Sequence, residues 1–148
     1  MTPNVFISQS ESELEAHFAS DFIAHIDGKK TLTLRQFYEE IADLLEIPDF
    51  GYNLDALNDS LNDLQWLEDE RIILYFTNTS EFVSKERDPA KLGSVLSILD
   101  ASAEDWKWVD DDELMDQKEI VIVFEDSPRI QQLLEQEGIG FLPLSEVK

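Results

Sequence analysis

The sequence contains no cysteine, which excludes a disulfide framework, cysteine-ligated zinc and any thiol nucleophile. Basic residues are scarce as well, with 11 Lys and Arg against 33 Asp and Glu for a formal charge of −22. A chain this acidic is repelled by phosphate backbones and by anionic membrane leaflets, so direct nucleic-acid binding and membrane-surface binding are discarded first. No stretch approaches the roughly 18 apolar residues of a membrane span, and the N-terminus lacks the basic-then-apolar layout of a signal peptide. The expectation is a soluble, cytoplasmic protein, with the absence of cysteine fitting a reducing compartment. Gly and Pro number only five each, and no repeat or low-complexity linker breaks the chain.

What is present is apolar material. The 148 residues are one domain's worth of sequence, and a hydrophobic share of 43% with nine Phe and three Trp suffices to bury about two thirds of the unfolded surface at this size. Disorder is excluded despite the charge, and a single domain over 1–148 is expected.

Strand and helix patterns alternate. Val5-Phe6-Ile7-Ser8 reads as a short strand, and Ser10 with acids behind it caps a helix over Leu14 and Phe18. Phe22 to Asp27 reads as the first core strand, closed by Gly28 and two lysines. Thr33 caps a helix with Phe37, Ile41, Leu44 and Leu45 on one face, which Ile47-Pro48 is expected to stop. After the loop Pro48 to Tyr52, Asn53 opens a second helix with Leu54, Leu57, Leu61 and Leu64 on its apolar side. Arg71 to Phe76 is a doubly buried strand and Asn78 to Arg87 a short helix. Asp88-Pro89 starts a helix through Leu92, Val95, Leu96 and Leu99, with Pro at its tolerated first position. Its end, in the stretch from Ala101 to Met115, is not marked by the sequence. Ile120 to Phe124 should be the central strand, Ser127-Pro128 starts a last helix ending at Gly138, and Ile139 to Leu144 forms an edge strand. Such alternation predicts an α/β fold with a small parallel sheet and helical crossovers.

The acidity is uneven. Between Arg35 and Arg71 there is no base, while that interval holds Glu39, Glu40, Asp43, Glu46, Asp49, Asp55, Asp59, Asp63, Glu68, Asp69 and Glu70. A one-sign region steers a cationic partner, although a solvated acidic face explains the charge alone equally well. The second helix favours steering. At 100° per residue Asp55, Asp59 and Asn62 make one stripe opposite the leucines. Asp55 in the first turn suits the helix dipole, but Asp59 lies beyond it and repels Asp55 by a few tenths of a kcal/mol.

The run Pro48-Asp49-Phe50-Gly51-Tyr52-Asn53-Leu54-Asp55-Ala56-Leu57-Asn58-Asp59-Ser60-Leu61 resembles the barstar family of ribonuclease inhibitors, in which proline, aromatic, Gly and Asn-Leu-Asp-Ala-Leu precede an acid. The likeness is specific over roughly Phe22 to Phe76 and agrees as helix then strand from Val95 to Phe124. It implies a three-stranded parallel sheet covered by helices, a core of about 20–126, and additions at 1–20 and 127–148. It further implies a non-enzymatic immunity protein, monomeric and in a 1:1 complex, whose second helix and leading loop plug the active site of a basic toxin, most readily a ribonuclease. No cofactor is implied. Asp59 matches the family's principal acid and Asp55 its helical neighbour, both standing in for RNA phosphates; Phe50 or Tyr52 supplies the aromatic contact, with Asp49, Asn53, Asn58 and Asn62 around them. Two positions depart from the pattern: Asn58 stands where the family often has an aromatic, and Asp49-Phe50 replaces a pair of aromatics. The family's further acid on a later helix has candidates in Glu104 and Asp105 without a motif.

Other chemistry is weaker. A glycosidase needs one carboxyl raised by an apolar cleft, and nothing flags one. The run Asp110 to Glu113 lacks the spacing and central glycine of a calcium loop, so it reads as solvated charge. His17 and His25 stand near no catalytic motif, and Trp106 and Trp108 read as packing. The competing functions are an acidic nucleic-acid mimic that blocks a DNA-binding protein, and immunity to a non-nuclease toxin such as an ADP-ribosyltransferase.

Overall fold

The computed structural model describes residues 3–108 and 117–146. In chain order β1 (Val5–Ser8) leads to α1 (Glu11–Phe18), and β2 (Phe22–Asp27) to α2 (Leu34–Leu44) and α3 (Leu54–Leu61). Then β3 (Arg71–Thr77) leads to α4 (Ala90–Lys107), and β4 (Glu119–Glu125) to α5 (Pro128–Gln136) and β5 (Phe141–Pro143). The five strands form one parallel sheet in the order β2-β3-β4-β1-β5.

This corrects the three-stranded expectation. The two segments read as terminal additions each insert a strand: Val5 lies between Ile122 of β4 and Phe141 of β5. Without β1, the apolar strand β4 would present an unpaired edge, which is an aggregation hazard. Ile120 to Phe124 is central as expected, whereas Phe22 to Asp27, read as a core strand, is the sheet's outer strand, paired among the described residues with β3 alone.

Handedness explains which face each helix covers. Strands β2, β3 and β4 advance in one direction across the sheet, and β5 lies further that way. The step from β1 to β2 runs backward past two strands. Right-handed crossovers then demand that α1 lie on the opposite face from the other helices. Accordingly Leu14 and Phe18 of α1 pack with Ile73, Tyr75, Val121 and Val123. Residues of α2, α3, α4 and α5 pack with Ile72, Leu74, Phe76, Ile122 and Phe124 on the other face.

Helix starts follow local chemistry. Ser10, Thr33, Asn53 and Ser127 each accept a backbone N–H from the first helical turn, as their residue types predict. Pro89 is an exception, standing at the cap of α4 rather than at its first helical position. Helix α2 also ends before Pro48 can act. Glu46 takes a φ of 52°, Ile47 N–H donates to Ala42 O at 3.0 Å and Glu46 N–H to Asp43 O at 3.3 Å, a Schellman ending with Glu in the usual place of glycine. Gly138, φ 70°, ends α5 the same way.

The helix expected over Asn78 to Arg87 is absent; those residues make turns. Their backbone groups are taken by distant partners. Arg129 Nη1 donates to Thr79 O at 2.8 Å and Phe82 O at 2.7 Å, and Val83 and Lys85 N–H donate to Thr31 and Leu32 carbonyls at 2.7 and 2.8 Å. Asn78 and Val83, with φ of 50° and 52°, interrupt any helical run.

Candidate functional site

Helix α3 is oriented from both ends. At its start Asn53 Oδ1 accepts from Ala56 N–H at 2.8 Å and its Nδ2 donates to Gly51 O at 3.1 Å, so both amide atoms serve the loop-to-helix junction. At its end the buried indole of Trp106 donates from Nε1 to Leu61 O at 2.7 Å. Between them Leu57 and Leu61 are fully buried, and Leu64 is buried just beyond the last turn. With that apolar stripe fixed inward, Asp55, Asn58 and Asp59 are held outward and exposed.

The side chains of Asp55 and Asp59 make no hydrogen bond or ion pair among the described residues. Asn62 behaves differently. It is half-buried at the C-cap, and its Nδ2 lies 2.8 Å from Asn58 O, 3.2 Å from Asn58 Oδ1 and 3.3 Å from Ser102 Oγ. It ties the acidic face to α4 and orients the Asn58 amide. Ser102 had no sequence signal, because its role depends on the crossing of two helices.

The loop ahead of α3 carries stored strain. Glu46 and Tyr52 both have a φ of 52°, a region that residues other than Gly, Asn and Asp seldom occupy, and Asp49, a residue type that tolerates it, has a φ of 51°. The Phe50 ring packs edge-on to Tyr38 with centroids 5.9 Å apart, and Tyr52 packs on Phe50 at 5.2 Å. Phe50 is thereby half-buried, while Tyr52 is 49% exposed. Asp49 is exposed. The candidate residues on the loop and helix thus share one surface, with Phe50 as its support and Tyr52 as its exposed aromatic.

A groove of about 550 Å³ adjoins this surface, lined by Leu34, Tyr38, Leu54 and Tyr52, with Arg35, Asp55, Glu86 and Lys91 around them. Glu86 Oε2 accepts from Leu34 N–H at 2.9 Å, capping α2 from a distance. Burial and the nearby Glu86 carboxylate push the Tyr38 hydroxyl's pKa up.

Other candidates lie elsewhere. Glu104 accepts from Trp108 Nε1 at 2.8 Å and from Asn4 Nδ2 at 3.2 Å, which holds its carboxyl below the usual range and turns it toward the start of β1. Asp105 is exposed. Of the two tryptophans read as packing, Trp106 is buried and Trp108 is 75% exposed. His25 is exposed on the outer strand, with Nε2 2.7 Å from Thr77 Oγ1. Among the described residues no group of three or more His, Asp or Glu side chains is placed to hold a metal, and no helix is long and apolar enough to cross a membrane. The run Asp110 to Glu113 lies outside the described residues.

The structure is thus an α/β sheet that carries an outward acidic helix behind an aromatic loop. The chain belongs to the barstar family, described as the barnase inhibitor, whose model matches residues 22–115. That span reaches from the first residue of β2 past the end of α4 and contains the whole candidate surface. No curated protein matches the chain. Among solved structures it is similar to the Aeropyrum pernix ORC2 protein in its ADPNP–ADP complexes, with 14% identity and a TM-score of 0.54 over 95% of this chain and 41% of that one. The ADP form of the same protein aligns at 15% identity and a TM-score of 0.45, over 95% of this chain and 42% of that one. The chain therefore spans less than half the length of these proteins, and the likeness concerns the fold alone.

Proposed function

We propose that this protein is an immunity protein that inhibits a basic toxin, a ribonuclease in the first instance, by inserting the acidic face of α3 into its active site. The observation that carries the reading is the pair Asp55 and Asp59, exposed and unpartnered among the described residues on a helix whose opposite side is locked into the core. A nuclease cleft is built of Arg, Lys and His groups that bind phosphate. Two carboxylates on one helical face present negative charge to it without a scissile bond.

In this reading Asp59 occupies the centre of the cleft, Asp55 lies beside it, and Tyr52 packs next to them as an aromatic anchor. Asn53 acts as a cap that sets where Asp55 points, and Asn62 as a tether that sets where Asn58 points. The acids between Arg35 and Arg71 raise the encounter rate by long-range attraction. The protein itself performs no chemistry, requires no cofactor, and acts in the cytoplasm as a monomer in a 1:1 complex.

The test is inhibition by purified protein. Titrated into barnase and into other basic secreted ribonucleases, it is expected to abolish RNA cleavage by at least one of them at one equivalent, and co-expression should restore growth to cells making that enzyme. Absence of inhibition across the set, or RNA cleavage by the protein alone, contradicts the reading.

A further inference from the structure

The groove beside Asp55 breaks the charge pattern of the surface it adjoins. Eleven acids between Arg35 and Arg71 face no base, yet the groove brings Arg35 and Lys91 to the edge of that region. Its apolar lining is Leu34 and Tyr38, both buried, the half-buried Leu54 and the exposed aromatic Tyr52, with the polar Asn53 beside them. Its volume falls within the range of about 300 to 1,000 Å³ typical of small-ligand pockets.

Three of its four charges have a role inside the protein or in the acidic stripe. Arg35 Nε pairs with Glu39 at 3.1 Å. Glu86 caps α2 through Leu34 N–H, and Asp55 belongs to the face offered to a basic cleft. The Lys91 ammonium makes no hydrogen bond or ion pair among the described residues, its backbone N–H alone donating to Asp88 O at 3.1 Å. A free phosphate is a poorer match, because each nearby helix N-terminus already has an N–H taken by a side chain: Leu34 N–H by Glu86, Ala56 N–H by Asn53 and Ala90 N–H by Asp88 Oδ1 at 3.1 Å. What the groove offers is apolar contact with one open ammonium at its margin.

We infer that this groove is a second docking point for the same protein partner, and that it takes an aromatic or long aliphatic side chain with a carboxylate beside it, which Lys91 meets. The partner surface is then polarised, with a basic cleft facing Asp55 and Asp59 and an acid flanking it opposite Lys91. Reversed charges across the groove fix the register of docking, because a partner rotated on α3 would place its bases against Lys91. The identity of the partner rests on the inhibitor reading; the chemistry of the groove does not.

The groove is tested on the full chain by following amide resonances of ¹⁵N-labelled protein during titration with N-acetylphenylalanine. Matched titrations use its neutral amide, phenethylammonium and inorganic phosphate. The expected result is saturable shifts around Leu34, Leu54 and Lys91 with the carboxylate, and binding about two- to fivefold weaker for the amide, the range an exposed ion pair supports. In Lys91→Gln, whose fold is checked by the same spectra, the preference should fall to about one. Equal binding of acid and amide, preference for phenethylammonium, shifts with phosphate alone, no binding by any probe, or a preference that survives Lys91→Gln each overturns the inference. Ribonuclease inhibition is scored separately, so failure of the groove and failure of the inhibitor reading are told apart.

Discussion

The indole of Trp106 donates its only N–H to the carbonyl of Leu61, at 2.7 Å, in the interior of the protein. Leu61 is the last residue of α3, where helix carbonyls lack partners within the helix, so a side chain of α4 closes the end of the acidic helix. The orientation of Asp55 and Asp59 is therefore set partly by a contact far along the chain. Trp106→Phe keeps most of the ring's volume and leaves Leu61 O unsatisfied, which should cost about 1 to 3 kcal/mol. Chemical denaturation checks this, and an unchanged midpoint would show that Leu61 O finds another donor.

Tyr52 should separate stability from binding. Tyr52→Gly relieves a left-handed backbone worth about 1 to 2 kcal/mol and loses the ring contact with Phe50 worth about 0.5 to 1.5 kcal/mol. Thermal stability should stay within about 1 kcal/mol of the wild type. Partner affinity should fall by about 2 kcal/mol or more if Tyr52 is an interface anchor. A variant that is both stable and fully binding removes Tyr52 from the contact surface.

Acid stability should depend on Asp27. Burial alone would raise its pKa, but the Asn78 amide, the Lys29 N–H and the charges of Lys30 and His25 outweigh burial and hold it below the ordinary carboxylate value. The folded state thus favours the ionised form. Its contribution is present above the unfolded pKa of about 3.9 and is lost as pH falls through the lower folded value. Asp27→Asn should lower stability near neutral pH and flatten the fall that sets in below about pH 4. A stability profile in acid parallel to that of the wild type would contradict this.

Association with the proposed partner should be fast and strongly salt-dependent. Raising ionic strength from about 0.01 to 1 M shortens the Debye length from about 30 to 3 Å, and the association rate should drop steeply while dissociation changes little. Stopped-flow mixing measures both, and a salt-independent association rate would eliminate steering by the acidic region.

The local features were legible in the sequence because their physics is local. Ser10, Thr33, Asn53 and Ser127 cap the helices they announce, and Ile120 to Phe124 is apolar enough to be nothing but a central strand. Long-range pairing was not legible. Val5 to Ser8 reads as a strand, but nothing in four residues says that it lies against Ile122 to Glu125. The turns at 78–85 depend on Arg129, and the tether of Asn62 depends on Ser102, both distant in sequence. Periodicity placed Asp55, Asp59 and Asn62 on one stripe; it could not show that the first two have no partner among the described residues while the third is tied to α4. The groove was invisible for the same reason, since Lys91 and Asp55, distant in sequence, come to line one groove only in the folded chain.

The most direct test compares Asp59→Ala with Asp63→Ala for partner affinity, thermal stability and toxin neutralisation. Removing Asp59 leaves the partner's cationic groups buried and unpaired, expected to cost about 2 to 5 kcal/mol, or roughly 30-fold to several-thousand-fold, a scale taken from buried charge pairs across interfaces that include the barnase–barstar pair itself. Asp63, exposed beyond the C-cap of α3, should cost under about 1 kcal/mol. The free Asp59→Ala protein should be at least as stable as the wild type, because repulsion with Asp55 is gone and alanine is the better helix former. A stable Asp59→Ala protein that binds weakly and neutralises poorly, beside an Asp63→Ala protein that does both normally, is the predicted result; equal affinities for the two variants would contradict the placement of Asp59 at the centre of the site.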